Sequence, residues 1–547
     1  MPVLLHGCGI YPDDQIWTGW CAVDPDAGAG LPRERRVNLS VRLEDALTAI
    51  RSEWWNLGRI LAATPTAELA HMPTCGTYSS DTGLMMAWVH VVTQLAADPA
   101  TTLVICPDPW VFRQMAALPG VQAGRAPSIL PQVVRLRLRG MLARCKVAAT
   151  VAVAAVKTRA TRKNHGQGDA VIQVYGHPAS TPQGKDAYFG DLMIRQPDLK
   201  RMMHTDCPAG RALELAADGR TASLHAWGNP LKAAGLVFAR WRPTAEQCRG
   251  PYGPLIQRAA EKEGGGGAAA LNRWQMWCHR AWLADRKPAV IAWPWENHPY
   301  ERDLVRSARA RGVRTVGYQH TVMGPHMFNQ SPQPNPDGLG SIPDLLVANG
   351  PAYARQLADW GIPAQRLAIG GAFRLPPVRM TFDAAAPVFV ALSNDANKND
   401  QILAALESMA DSGLTFLLKE HPMYPYAFSE TATIRRTNAY MPDAGPLRAV
   451  LYSTGTSGLE ALAGGLPTFR FRPDGIIALD ILPPGVLAVT VDAGTLRVAL
   501  SAPLTPPDLR REDVLADVDY AFWRAILAAS AIQDKASDAQ AISVGAA

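Results

Sequence analysis

From Lys287 onward the chain alternates short apolar runs with amphipathic stretches of helical period, and this rhythm restricts the fold more than any other feature. KPAVIAWPWENHPYERDLVRSARARGVRTVGYQHT reads as strand, loop, helix, strand, and PDLLVANGPAYARQLADWGIPAQRLAIGGAF repeats the order. Strands separated by helices pair in parallel through right-handed crossovers, so the pattern predicts βαβ units. RLPPVRMTFDAAAP then interrupts it with prolines and no apolar period, as an interdomain linker does. Beyond it the rhythm starts afresh with VFVALS, the helix NDQILAALESMADSG, LTFLLKEHP, RAVLYSTGTSG, GLEALAGG, PTFRFRP and VLAVTV.

The N-terminal part is less regular. TTLVICPDPWVFRQMAAL reads as a strand stopped by Pro-Asp-Pro and followed by a helix, and RVNLSVRLEDALTAIRSEWWNLGRILAA as helical. AVIQVYGHPASTPQGKDAYFGDLM and ASLHAWGNPLKAAGLVFARW each read as a strand ending in a polar loop. Four consecutive glycines, 264–267, predict a flexible connection before a Trp-rich helix. The expectation is an α/β protein of two Rossmann-like domains facing an interdomain cleft. Residues 1–375 form the first, with a basic helical insertion at 125–165 and a Gly-rich loop at 261–270. Residues 376–505 form the second, and 506–547 add helices and a polar, Ala-rich tail expected to fray.

With 547 residues, 48% of them hydrophobic and 19% charged, the chain can bury a sizeable core. Its net charge of +6 is local. Residues 125–163 carry ten Arg or Lys and no acid, so the remainder is at −4. In this segment Arg135, Arg137, Arg139, Arg144 and Lys146 are interleaved with Leu, Val and Met, and VAATVAVAAV follows, too short to span a bilayer. Two readings are open: an amphipathic segment on an anionic membrane surface, or a solvated basic helix. Nucleic acid is disfavoured because aromatics are not interleaved with the cations. The eight cysteines show no metal-ligand spacing and read as reduced thiols of a cytoplasmic protein. The start MPVLLHGCGIYPDD lacks a basic n-region, so no secretory leader is expected.

In open parallel sheets the loops after the strands' carboxyl ends line the ligand crevice. KEHP follows LTFLL and STGTSG follows RAVLY. The hydroxyls of Ser453, Thr454, Thr456 and Ser457, with the N–H groups around Gly455, stand where a helix begins, which suits a phosphate; Lys419 and His421, braced by Pro422, add donors. Taken singly, each motif is also an ordinary N-cap or loop. No GxxxxGK[ST] occurs, so a P-loop hydrolase is disfavoured.

The Lys-x-His-Pro after one strand, then a Ser/Thr pair and Gly-x-Glu-Ala-x-x-x-Gly-x-Pro after the next, resembles the donor domain of GT-B glycosyltransferases. The likeness is greatest to bacterial sialyltransferases, capsule Kdo transferases and polyol-phosphate transferases, and it covers roughly residues 288–500. The region WPWENHPYERDLVRSARARGVRTVGYQHT is similar to allied surface-carbohydrate biosynthesis proteins. The resemblance implies a CMP-sugar donor, with His421 and Pro422 on the cytidine nucleotide and Ser453 and Thr454 on its phosphate, and no metal or separate cofactor. Glu460 would brace the donor site. The acceptor would be a surface glycan, a lipid-linked precursor or a protein such as flagellin, and the enzyme cytoplasmic and peripheral on the inner membrane.

Glycosyl transfer also needs a base, or charge beside the anomeric carbon. Glu296, past the strand AVIAW, should face the cleft from the opposite wall, with Trp293, Trp295 and His298 ready to contact a sugar ring. It reads equally as a structural carboxylate that pairs with Arg302 or caps the next helix. The acidic base motif of the sialyltransferases has no counterpart here, so Asp186 and His320 are further candidates. Competing activities are CDP-polyol phosphotransfer, nucleotide-sugar epimerisation and non-catalytic sugar binding.

Overall fold

The computed structural model describes residues 3–7, 9, 11–422 and 424–528; the tail expected to fray lies beyond them. Seventeen strands among these residues form three sheets, every pairing parallel. The first holds β1 (Val3–His6), β2 (Gly19–Ala22), β3 (Thr102–Ile105) and β4 (Val121–Ala123) in the order β2-β3-β1-β4. The second holds β5 (Ala170–Val174), β6 (Lys200–Met203), β7 (Thr221–Ser223), β8 (Val290–Pro294), β9 (Arg314–Gln319), β10 (Leu345–Ala348) and β11 (Leu367–Ile369). The third holds β12 (Val388–Ala391), β13 (Phe416–Lys419), β14 (Ile434–Arg436), β15 (Ala449–Tyr452), β16 (Thr468–Phe471) and β17 (Val489–Val491).

The alternation from Lys287 onward thus builds what it predicts. β8, β12 and β15 carry apolar runs because helices cover both faces of a parallel sheet. Residues 1–375 contain two sheets, and one hydrophobic cluster joins them, running from Val3 and Val104 through Val171 to Trp295 and Leu346. The strand read at 103–106 is β3; its helix, Pro109–Ala116, is capped by Asp108, whose side chain accepts from the amides of Trp110 and Val111.

Strand order fixes where ligands can enter. In the second sheet, β11-β10-β9-β8-β5-β6-β7, the chain winds outward from β5 to β7 and then returns beside β5 at β8. In the third, β14-β13-β12-β15-β16-β17, the reversal falls between β12 and β15. At such switch points successive crossovers leave on opposite faces and open a crevice at the carboxyl ends.

The glycine run at 264–267 is not a loose linker. It is the tight corner between helices Gly253–Lys262 and Gly267–Arg286, and the Gly265 carbonyl accepts from Arg144. A Cβ on Gly140 would stand 2.4 Å from that carbonyl oxygen, so close approach of two backbones explains the small residues.

Two devices tie the halves together. The chain returns after the third sheet, and helix Tyr520–Leu527 packs fully buried Trp523 on the second sheet, its indole donating to the Gly370 carbonyl at 3.0 Å. Glu44, on helix Ser40–Ala49, pairs with buried Arg470 of β16 and with Arg472 at 3.0 Å, while Arg36 pairs with Asp474 at 2.8 Å.

Candidate functional site

The strand ends at the second sheet's switch point carry most of its polar chemistry. After β8 the backbone turns through Asn297, fully buried at φ +55°, a left-handed conformation that Asn tolerates better than most residues. The Asn297 side chain donates to the Asn329 carbonyl at 2.7 Å, and the Asn329 amide donates back to the Glu296 carbonyl. The Glu301 carboxylate accepts from the amides of Glu296 and His298, 3.1 Å each, and so caps helix Pro299–Arg309. Capping therefore belongs to Glu301, and Arg302 reaches the Thr74 carbonyl instead of Glu296.

Freed from both structural duties, the Glu296 side chain projects from this turn, 31% exposed, between two imidazoles. His298 Nε2 lies 2.6 Å from Oε2 and His320 Nε2 lies 3.5 Å from Oε1. Burial pushes the Glu296 carboxyl up, but the His298 hydrogen bond and the nearby charges of His298, His320 and Arg374 outweigh it and hold the group at about 2. Burial lowers His298 as well, and there Glu296 prevails and raises it. His320 is taken down to about 4 by burial, against the pull of Glu296, and is neutral at pH 7. The carboxylate is thus permanently ionised: a strong acceptor and a fixed negative charge, and only a weak base on its own.

A layer of aromatic groups supports this turn. The Tyr175 and Tyr300 hydroxyls lie 2.9 Å apart, the His204 ring sits 4.7 Å and 5.0 Å from the Tyr175 and Tyr300 rings, and Glu301 beside them is pushed up to about 7 by burial.

Three expectations are corrected here. Trp293 and Trp295 are 2% and 0% exposed and belong to the core, because β8 is covered on both faces; neither can stack on a sugar. Asp186, 2% exposed, accepts from Ser180 and from the amides of Tyr188 and Phe189 and lies 3.7 Å from Arg201. It braces the loop that brings the Tyr188 ring within 5.3 Å of His320.

In the third sheet STGTSG follows β15 and lies at the switch point. Ser453 is fully buried, and the hydroxyls of Ser453 and Thr454 are buried without a hydrogen-bond partner. Unpaired buried hydroxyls are costly, and an acceptor brought to them would relieve that cost. Gly455 adopts φ +150°, and helix Ser457–Ala463 starts without a side-chain cap from Thr456. That helix has only seven residues, so the two hydroxyls, more than any helix dipole, define this end of the site.

KEHP and STGTSG do not sit on neighbouring strands: β12 runs between β13 and β15, which separates the two loops by roughly 10 Å, two strand spacings. The intervening loop places Ser393, 2% exposed, against Asn399 of the helix Ala396–Glu407. His421 is part-buried, with its ring 5.2 Å from Tyr424, and burial lowers its pKa; Pro422 is exposed. Lys419 turns away toward β14, donating to the Asn438 carbonyl at 2.5 Å and lying over the Tyr440 ring. That engagement occupies the ammonium group expected to meet a phosphate.

One residue was not anticipated. Arg374, exposed at the start of the linker, lies 5.1 Å over the Tyr188 ring. Its charge bears on Glu296 and His320 on one wall and on Glu460 on the other, where burial raises the carboxyl and Arg374 opposes the rise. Its charge thus reaches groups at both switch points. A lone cation before Leu-Pro-Pro has no one-dimensional signature, since its importance arises from the two walls that meet there. Among the described residues no cluster of His, Cys, Asp or Glu is arranged to hold a metal.

No protein-family model matches the chain, and no curated protein matches it. Among solved structures it is similar to UDP-N-acetylglucosamine 2-epimerase from Rickettsia bellii, at 12% identity over 55% of this chain and 78% of that one, with a TM-score of 0.30. It is also similar to the calicheamicin glycosyltransferase CalG4, at 14% identity over 55% and 80% (TM-score 0.35), and to UGT89C1 of Arabidopsis thaliana, at 14% over 60% and 89% (TM-score 0.36). Likeness of this degree is too slight to carry fold or function, which rest on the sheets and strand ends themselves.

Proposed function

We propose that the protein is a GT-B-type glycosyltransferase that moves a sugar, a nonulosonic acid or Kdo, from a CMP donor to a surface glycan, a lipid-linked precursor or a protein such as flagellin. The observation that carries this reading is that the Arg374 charge reaches both Glu296 and His320, past strand ends of the second sheet, and Glu460, on the helix after STGTSG in the third. An ionised carboxylate between imidazoles follows one switch point, and two hydroxyls without a partner in the protein follow the other.

On this reading Ser453 and Thr454 donate to the donor phosphate and His421 to the nucleotide. Arg374 offsets the negative charge that grows on the leaving CMP as the glycosidic bond breaks. Glu296 accepts the hydrogen bond of the acceptor hydroxyl and takes its proton as the new C–O bond forms; His298 keeps it ionised, and His298 and His320 orient it. Because a carboxylate held at about 2 is a weak base, proton transfer comes late, and much of the rate depends on stabilising the leaving group. The acceptor is presented at an anionic membrane surface, to which 125–163 brings the enzyme.

Thermal-shift titration with CMP, CDP, UDP and GDP tests the donor. The cytidine nucleotides should raise the melting temperature most, and a larger shift with a purine or uridine nucleotide would remove the CMP assignment.

A further inference from the structure

Helix Leu130–Thr158 has two very different sides. Its inner side, with Gly140, Ala148, Val151, Ala154, Ala155 and Thr158 buried, packs on Lys232–Phe238 and on the helix Gly267–Arg286. The small-residue run read in the sequence therefore divides between core and surface. The outer side exposes Leu130, Val134, Leu138, Met141 and Leu142, with Leu130 at 70% and Leu142 at 67%. At about 100° per residue these five fall within an arc of about 120°. Val153 and Val156 extend the stripe. Seven of the twenty large apolar or aromatic side chains exposed among the described residues lie on this one helix, a concentration that marks an interaction surface.

The cations sort by side as well. Arg137 is held by Glu261 at 2.8 Å, Arg144 by the Val237 carbonyl at 2.8 Å, and Arg162 by the Ala226 carbonyl at 2.7 Å. Arg135, Arg139, Lys146 and Lys157 are exposed with no acid partner, and by the same helical count they run along one margin of the apolar stripe. Arg125, Arg159 and Lys163 are exposed beyond the helix ends. Protein–protein interface cores are depleted of lysine, whereas a helix lying in a lipid interface pairs an apolar face with Lys and Arg at headgroup level. No helix among the described residues is long and apolar enough to cross a membrane.

Resting on the peripheral placement above, we propose that the outer side of Leu130–Thr158 docks in the plane of an anionic lipid bilayer. Leu130, Val134, Leu138, Met141 and Leu142 insert among the acyl chains, and Arg135, Arg139 and Lys146 meet the lipid phosphates.

Cosedimentation with vesicles of equimolar phosphatidylglycerol and phosphatidylcholine, against pure phosphatidylcholine, tests it. The full chain should bind the anionic vesicles and not the neutral ones. Combined Arg135→Glu, Arg139→Glu and Lys146→Glu should weaken partition on the order of 100-fold, each cation being worth about 1 kcal/mol. Combined Leu138→Ser, Met141→Ser and Leu142→Ser should weaken it at least about tenfold, since buried apolar area sets the rest of the affinity. All six positions are exposed, so melting temperatures should stay at the parent value. Cys145 lies within the stripe and is the one exposed cysteine among the described residues, so an environment-sensitive fluorophore on its thiol should shift to the blue on anionic vesicles. A chain that ignores anionic vesicles, binds neutral ones equally well, or leaves the fluorophore in water overturns the proposal. CMP binding and transfer to a soluble acceptor are measured without vesicles, so membrane docking and glycosyl transfer fail separately.

Discussion

Replacing Glu296 by Gln keeps the shape of the side chain and removes the charge that two imidazoles share. The shift of this carboxyl from 4.5 to about 2 corresponds to about 3 kcal/mol at 1.36 kcal/mol per unit, and solvent screening of a side chain 31% exposed reduces that to about 1–2 kcal/mol. The pH dependence follows from the signs. Glu296 is depressed in the folded state, so its contribution is full above about 4.5 and is lost as pH falls toward 2. His298 is raised, so its contribution is full below 6.5 and is lost as pH rises through its folded value. Together they stabilise most between those two pH values, and Glu296→Gln should flatten the stability profile there. CMP affinity should stay near the parent value, because the hydroxyl loop lies on the other wall. Turnover should fall by about 10² to 10⁴, the usual cost of losing acid–base help. Denaturant melts across pH, CMP titration and donor turnover on this one variant decide the matter. Full turnover per folded molecule with the stability loss intact would make Glu296 structural. Equal losses in CMP affinity and turnover would place it in the donor site.

Ser453→Ala with Thr454→Val should weaken CMP binding by about 1–3 kcal/mol in a thermal-shift or calorimetric titration, as expected for hydrogen bonds to a charged group. Because neither hydroxyl has a partner in the protein, stability should be unchanged or slightly higher; unchanged affinity would reduce STGTSG to a turn. His421→Ala should weaken the same titration by a similar amount, and equal binding would remove KEHP from the site. Arg374→Met should lower turnover with a CMP-sugar at least about tenfold through lost stabilisation of the leaving group, and should let the Glu296 pKa rise. An unchanged rate would leave Arg374 merely lying on Tyr188. Glu301→Ala should cost about 1 kcal/mol or more of stability through loss of the helix cap, read in denaturant melts, with no loss of CMP affinity.

The sequence by itself determined the parallel α/β architecture from Lys287 onward, since apolar runs separated by amphipathic helices can bury both faces in no other simple way. It also determined that Glu296, His298 and His320 on one side and STGTSG on the other follow strand ends, because strand ends are read from where apolar runs stop. Tertiary structure decided the rest. Of the first sheet only β3 was legible, because its partners pair across long intervals, β1 with β3 over about a hundred residues of chain. Trp293 and Trp295 gave no sign of being core, since an aromatic residue near a strand end is written the same way whether a helix or a sugar covers it. Strand order put β12 between KEHP and STGTSG, and order depends on how crossovers pack, which local pattern does not encode. Arg374 acquires a role only where two walls converge on it, and the apolar side of Leu130–Thr158 becomes an outer surface only because neighbouring helices take its small-residue side. Periodicity decides which residues share a face; the packing of other elements decides which face meets solvent, core or ligand.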